Sequence, residues 1–348
     1  MMKKNIKVLN IAIFSVCMLL TVLFVTLTIV SSVTAKAQMS QRAADIWSGK
    51  SGRKYSQVSV FFTENAGFSS LHIRSVRDAI EKGFSTLPGE YFGEGEQTIA
   101  KEDIWLDAYS AEFSLNAETD KKSVNVTAAA VGGEFFFFRQ FKFIYGSGFV
   151  DNELVFDKIV LDSDAAWQLF GSSDIVGLTV KIQGYPFVVS GVVDKNADDV
   201  SKELYGLTPR VYIPITAYLK YIATSDSVDL SSYEAVIPNP LEDYAYASIE
   251  SGISVSEESR VIVDNTARFT IPALWGTFKS LATRSVRTSQ ITYPYWENAA
   301  AVKTDKLAVL MVVRMTCIII VILTALTYVT LGLVKLVSKI KRKKYRYL

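Results

Sequence analysis

Two uncharged runs frame the chain. Between Lys7 and Lys36 lie 28 residues without a charge, Val8 to Ala35. Met315 to Val334 is a second uncharged run of 20, extended outward by Leu307 to Val313 with Arg314 interrupting. A helix rises about 1.5 Å per residue and the bilayer core is about 30 Å thick, so about 20 apolar residues cross it. Residues 8–35 and 307–334 are therefore predicted as transmembrane helices. A cleaved signal peptide is the rival for the first, because Lys3, Lys4 and Lys7 precede it and Ala35-Lys36-Ala37 is an A-x-A site. A signal's apolar region is about 7 to 15 residues, and this one is nearly twice that. Arg314 would cost about 2.5–3.5 kcal/mol at a helix centre. Part-way into its span it either snorkels to the outer headgroups or faces a partner helix.

Residues 36–50 are polar with scattered alanines and are expected to extend the first span as a stalk helix. Tyr295 to Lys306, starting after Pro294, mirrors them into the second span. Between the stalks the periodicity alternates. Val58 to Phe62 is strand-like, Ser69 to Phe84 carries Ile73, Val76, Ile80 and Phe84 at helical spacing, and Ile104 to Leu115 returns to strand. Later, Tyr233 to Ile237 reads as strand, Leu241 to Ile253 as helix and Arg260 to Val263 as strand. The centre, about 118–215, is nearly all strand and turn, with glycines at the breaks. The fold class expected is an α+β extracytoplasmic domain, two βαβ-like units with an inserted β-rich lobe, between two transmembrane helices.

Charge sets the orientation. Residues 1–7 hold three lysines, and residues 335–348 hold seven cations, with no acid in either. By the positive-inside rule both ends are cytoplasmic. Setting those ten cations and Arg314 aside from the 37 leaves 26 basic against all 35 acidic residues in 36–306, a net charge of about −9. The large middle portion is outside and acidic. The basic tail suits anionic lipid headgroups better than nucleic acid, so the bilayer is a partner and nucleic acid is not. Cys17 and Cys317 both fall within the spans, leaving the outer domain free of disulfides.

The centre resembles the periplasmic core domain of MacB-like ABC transporter permeases, in the wider FtsX-like group. The residues that carry this are VNVTAAAVGGEFF at Val124 to Phe136, read as a strand, and GSGF at Gly146 to Phe149. They continue with IVLDSDAAWQLFG at Ile159 to Gly171, DIVGLTVKIQGYPFVVSGVV at Asp174 to Val193, and VYIP at Val211 to Pro214. Gly184 supplies the tight turn of the hairpin, and Trp167, Leu169 and Phe170 are expected to bury one side of a short helix. The resemblance implies a non-catalytic membrane subunit, without a cofactor, moved by a separate ABC ATPase. Family permeases carry four spans and an acidic E-I-G-type coupling helix. Lys335 to Leu348 is basic throughout, so the chain resembles the first half of such a permease. A second permease chain or a second copy is expected to complete it and to make contact with the ATPase indirect. The alternative is a stand-alone two-pass sensor or scaffold that binds an extracellular ligand or protein.

Little else carries chemistry. Gly49-Lys50-Ser51 ends like a phosphate loop, but Ala44 stands where the first glycine belongs. Asp194, Asn196 and Asp198 have calcium-loop spacing, yet Asp199 and Tyr205 occupy the glycine and glutamate places. The Gly89 to Glu96 run is expected to be a solvated connection. His72, the single histidine, is expected on a half-buried helix face with no nucleophile to serve. Asn125-Val126-Thr127 is a glycosylation sequon by pattern, in a predicted strand. No catalytic, cofactor or metal residue is assigned. The candidate partner or coupling surface is Arg314 with Phe135, Phe136, Phe137 and Phe138. In a strand, four successive aromatics face both sides, so either both faces are covered or one presents an apolar patch.

The topology is tested by Asp199→Cys, which is expected to react with an impermeant maleimide in whole cells. Labelling only after lysis would reverse it.

Overall fold

The computed structural model describes residues 2–49, 52–92, 100, 103–150, 157–195, 205–206, 208–284, 291 and 293–344. Lys50 and Ser51 of the phosphate-loop match lie outside the described residues, as do Gly93 to Glu96, Asn196, Asp198, Asp199 and the last four residues of the tail. The chain forms two compact units, a sheet domain (38–269 and 283–302) and a helical unit (1–37, 270–282 and 303–348).

In the sheet domain, β1 (Tyr55–Phe62), helix α3 (Ile73–Gly83) and β2 (Leu106–Glu118) are followed much later by β9 (Ser232–Pro238), α7 (Tyr244–Gly252) and β10 (Arg260–Asp264). Their antiparallel order, β10-β1-β9-β2, is that of a ferredoxin-like βαββαβ unit. Alternation along β1 explains its place in the middle. Val58 and Val60 face a large apolar cluster with Val76 and Ile80 of α3 and Ile249 of α7, while Gln57 and Ser59 face the other side. The two helices pack so closely that a Cβ on Gly252 would lie 3.2 Å from the Val76 Cα.

The inserted segment holds β3 (Ser123–Gly133), α4 (Phe135–Arg139), β4 (Phe143–Gly146), β5 (Lys158–Asp162), α5 (Ser163–Phe170), β6 (Thr179–Ile182), β7 (Tyr185–Val193), β8 (Arg210–Pro214) and α6 (Ile215–Tyr221). Here β2 pairs with β3, β3 with β8, β8 with β5, β5 with β7, β7 with β6, and β6 returns to β2 at Ala117↔Ile182. Six strands thus close a ring, and β2 is long enough to serve both the ring and the ferredoxin-like sheet. Inward residues such as Leu115, Val126, Leu161, Phe187 and Ile213 continue the same apolar cluster. The sheet's two outer strands are short: β10 has five residues, and β4 has four with a register shift between Phe143 and Tyr145.

Three expectations are corrected. The strand at Val124 does not run through Phe136. Gly133 takes φ +62°, β3 ends there, and the phenylalanines begin α4. Trp167 is 64% exposed, because Ala165, Ala166 and Leu169 make the inner face of α5. The segment 36–50 is not one helix. The helix α1 (Met2–Lys36) stops, a 3-10 turn follows at Met39–Gln41, and α2 (Ala43–Ser48) restarts it.

The helical unit contains α1 and most of α8 (Ile271–Arg284) and of α9 (Tyr295–Lys344). Both α1 and α9 are long and apolar enough to cross a membrane. Several of their threonine hydroxyls are answered locally. Thr21, Thr26, Thr316 and Thr324 donate to carbonyls four residues back at 2.8–2.9 Å, as a hydroxyl in hydrocarbon requires. The Tyr328 hydroxyl donates to Asn10 Oδ1 at 3.0 Å.

Asp162 caps α5 while wholly buried, accepting from Ala165 N at 2.6 Å and Arg210 N at 2.8 Å. Desolvation outweighs those bonds and lifts its pKa from 3.8 to about 6. Because the folded chain holds this proton more tightly than the unfolded chain does, stability falls as pH rises between about 4 and 6. Thermal melts of wild type and Asp162→Asn, whose side chain does not titrate, should show wild type gaining up to roughly 3 kcal/mol on the variant between pH 7 and pH 4.

Candidate functional site

The outward face of β1 receives both segments that connect the sheet domain to the apolar helices. Gln57 is fully buried. Its side-chain oxygen accepts from Ala43 N at 2.9 Å, its amide donates to Ser40 O at 2.8 Å, and its own backbone N–H donates to Thr266 Oγ1 at 2.9 Å. This capture explains why the helix breaks after Lys36, since backbone groups at Ser40 and Ala43 bond to β1. Two residues on, Ser59 donates to Glu234 Oε1 of β9 at 2.6 Å and accepts from Asn265 Nδ2 at 2.6 Å. Two residues further, Phe61 meets Tyr293 edge-on at 5.4 Å.

Glu234 also pairs with Arg139, the last residue of α4. Both side chains are almost wholly inaccessible. The Arg139 guanidinium lies over the Trp296 ring at 4.4 Å and the Phe135 ring at 5.5 Å, cation–π contacts that arginine makes more often than lysine. Burial pulls its pKa down to about 9, against the opposing charges of Tyr295, Tyr212 and Glu297. It therefore stays charged at neutral pH. Among the described residues its Nε and Nη1 have no hydrogen-bond partner, nor does Trp296 Nε1. In the first turn of α9, Glu297 accepts from Arg268 Nη2 through both oxygens at 2.7 Å, and both residues are buried. Two ion pairs, one aromatic ring and one glutamine thus hold the start of α9 and the segment after α1 to adjacent strands.

The predicted phenylalanines surround this cluster in part. Phe135 and Phe138 are buried. Phe136 packs among Phe141, Phe143, Phe149 and Tyr212. Phe137 meets Trp47 edge-on at 6.0 Å and lines a cleft of about 590 Å³ with Trp105 and the Arg77–Asp107 pair, whose two bonds are each 2.8 Å. Arg314 is half-exposed in the helical unit and makes no ion pair among the described residues. His72 is a cap: its Nδ1 accepts from Ser69 N at 3.1 Å and its ring stacks on Phe68. No cluster of three or more His, Cys, Asp or Glu side chains able to hold a metal occurs among the described residues.

Sequence reasoning missed Gln57, Arg139, Glu234, Arg268 and Glu297. A signal for two of them existed. Glu234 interrupts the apolar run Tyr233 to Ile237, and Gln57 alternates with Val58 in a strand that pairs on both sides. Polar residues at such positions face either solvent or a buried partner, and here it is the partner.

A model of the MacB-like periplasmic core domain matches residues 9–262. The chain belongs to that family. Three solved structures share similarity with it. The periplasmic region of MacB from Actinobacillus actinomycetemcomitans is 17% identical at a TM-score of 0.42, covering 62% of this chain and 92% of that one. The extracellular domain of the noncanonic ABC-type transporter YknZ from Gram-positive bacteria is 15% identical at 0.40, covering 60% and 100%. A domain of a putative permease protein from Porphyromonas gingivalis is 13% identical at 0.33, covering 60% and 89%. A search of curated proteins found no match. As a MacB-like chain, it is an ABC-transporter-type membrane subunit with an extracytoplasmic domain, in a permease-type family that is generally non-catalytic and associates with an ABC ATPase. Within it, Arg268, Trp296 and Glu297 lie beyond the matched residues.

Removing Glu234 alone strands a buried guanidinium, so Glu234→Ala should destabilise the chain by about 3–5 kcal/mol. The double change Arg139→Met with Glu234→Leu should come much closer to wild type. Melting temperatures of the detergent-purified variants check the order, and equal losses would contradict it.

Proposed function

We propose that this chain is a non-catalytic subunit of a MacB-like ABC transporter or mechanotransmission complex, with both termini cytoplasmic and the sheet domain outside. A partner ATPase moves the spans, directly or through a second permease chain or a second copy of this one. The sheet domain takes up that movement where the two connecting segments meet β1 and β9. The observation that carries this reading is the buried network around Arg139. A surface connection needs no desolvated charge, whereas a joint that must keep one geometry under load gains from ion pairs that cannot be exchanged for water. Beside it, Gln57, Ser59 and Phe61 occupy successive outward positions of β1 and meet Ser40 and Ala43, Glu234 and Tyr293, so displacement of either segment acts on the same β1 backbone. Phe137, beside Trp47 of α2, lines the cleft, and the neighbouring Phe135, Phe136 and Phe138 hold α4 in place.

Arg314 is assigned to a partner helix in the membrane. Its charge lies in an otherwise apolar stretch of α9, and among the described residues nothing neutralises it.

The test is a mild-detergent pull-down of the tagged chain from its native host, with mass spectrometry of the bound proteins. Recovery of an ABC ATPase with a permease chain is expected, and Arg314→Leu should reduce that recovery. An intact, abundant bait without an ATPase would favour the sensor or scaffold. Unchanged recovery with Arg314→Leu would assign the arginine to the lipid headgroups.

A further inference from the structure

From Asn265 to Trp296 the chain has no acidic residue over 32 positions, the longest such run between the spans, although residues 36–306 carry nine more acidic than basic residues. Its cations are Arg268, Lys279, Arg284 and Arg287. Arg268 is taken up by Glu297, and the other three follow it in sequence. At 100° per residue, Ile271, Leu274, Trp275, Phe278, Leu281 and Ala282 share an arc of roughly 120°, with Gly276, Ser280 and Thr283 away from it. Leu274 is buried, yet Ile271 is 55% and Trp275 46% exposed. Trp275 and Phe278 stack at 5.9 Å, and the Lys279 ammonium sits 5.6 Å from the centre of the Trp275 ring.

Residues 271–282 of this helix belong to the same compact unit as the two apolar helices, although Phe269 before them and Thr283 after them belong to the sheet domain. Fourteen residues reach only about 21 Å, too short to cross a core of about 30 Å. An acid-free amphipathic helix grouped with membrane spans, too short to cross, with a Trp–Phe apolar arc and basic flanks, has the chemistry of an interfacial helix.

We propose that α8 lies in the headgroup region of the outer leaflet. Ile271 and Trp275 turn toward the acyl chains, and Lys279 engages anionic lipid phosphates, with the positive charge that the sequence carries nearby adding to the attraction. The leaflet rests on the topology proposed above; the lipid contact does not.

The test uses the full chain, made cysteine-free by Cys17→Ala and Cys317→Ala, in phosphatidylcholine–phosphatidylglycerol vesicles. Single cysteines at Ile271→Cys and Trp275→Cys on the arc, and at Gly276→Cys and Thr283→Cys off it, carry an environment-sensitive fluorophore. With acyl-brominated phosphatidylcholine, the two arc positions are expected to lose on the order of half their emission and the other two little, since such an arc sits about 5–10 Å into the headgroup boundary. Lys279→Glu combined with Arg284→Glu should shrink that loss in vesicles containing phosphatidylglycerol and leave it unchanged in pure phosphatidylcholine. Equal quenching on both faces, or none at Ile271 and Trp275, overturns the proposal. A blue-shifted arc without quenching also overturns it, since a protein surface then covers the arc. In whole cells, Ser280→Cys and Asp199→Cys should both react with an impermeant maleimide. If both need lysis while the quenching pattern holds, the outer-leaflet assignment fails through the topology and not through the helix.

Discussion

A guanidinium taken out of water must be answered by a carboxylate and by flat surfaces it can stack on, and much of the sheet domain is arranged to answer Arg139. Glu234 has to sit on β9 facing away from the main apolar cluster, which fixes the strand's register against β1. Ser59 has to stand opposite to hold the carboxylate, and Trp296 has to lie over the cation, which brings the start of α9 to the same place. Exchanging these residues for apolar ones would cost less desolvation, but apolar packing slides more readily than an ion pair that loses its partner when displaced. The arrangement trades some stability for a defined geometry.

How much of this was legible depends on whether a residue's partner lies nearby in sequence. The ferredoxin-like elements follow from local alternation: Ile73, Val76 and Ile80 at helical spacing, and Val58 and Val60 on alternate positions, place α3 and β1 without knowledge of anything distant. The ring closure did not follow, because Ala117↔Ile182 joins residues far apart in the chain and leaves no periodic mark. The break after Lys36 was hidden for the same reason. Residues 36–50 have acceptable helix propensity, and it is Gln57 and β1 that override it. The phenylalanines misled in a different way. Four bulky aromatics after a strand look like more strand, whereas the turn is made by Gly133 ahead of them.

Two positions show how glycine is selected by contact. Gly132 lies opposite Tyr109 in the β2–β3 ladder, and its missing Cβ is what lets the tyrosine ring lie across the strand. Gly133, directly after it, takes the left-handed conformation that turns the chain toward α4. Arg139 reaches its carboxylate because of this turn. The paired glycines at this point therefore set the placement of a charge six residues later.

The brevity of the two outer strands bears on how copies of this chain avoid one another. An unpaired strand edge is a template for any other extended chain, and a domain that folds outside the cytoplasm meets neighbouring unfolded copies as it emerges. With only five residues in β10, and four in β4 interrupted by a register shift, neither edge offers a ladder long enough to nucleate cross-chain pairing. Closing the ring through β6 conceals the other edge that the insertion would have left open. Nascent chains can thus crowd at one membrane surface with little risk of joining into sheets.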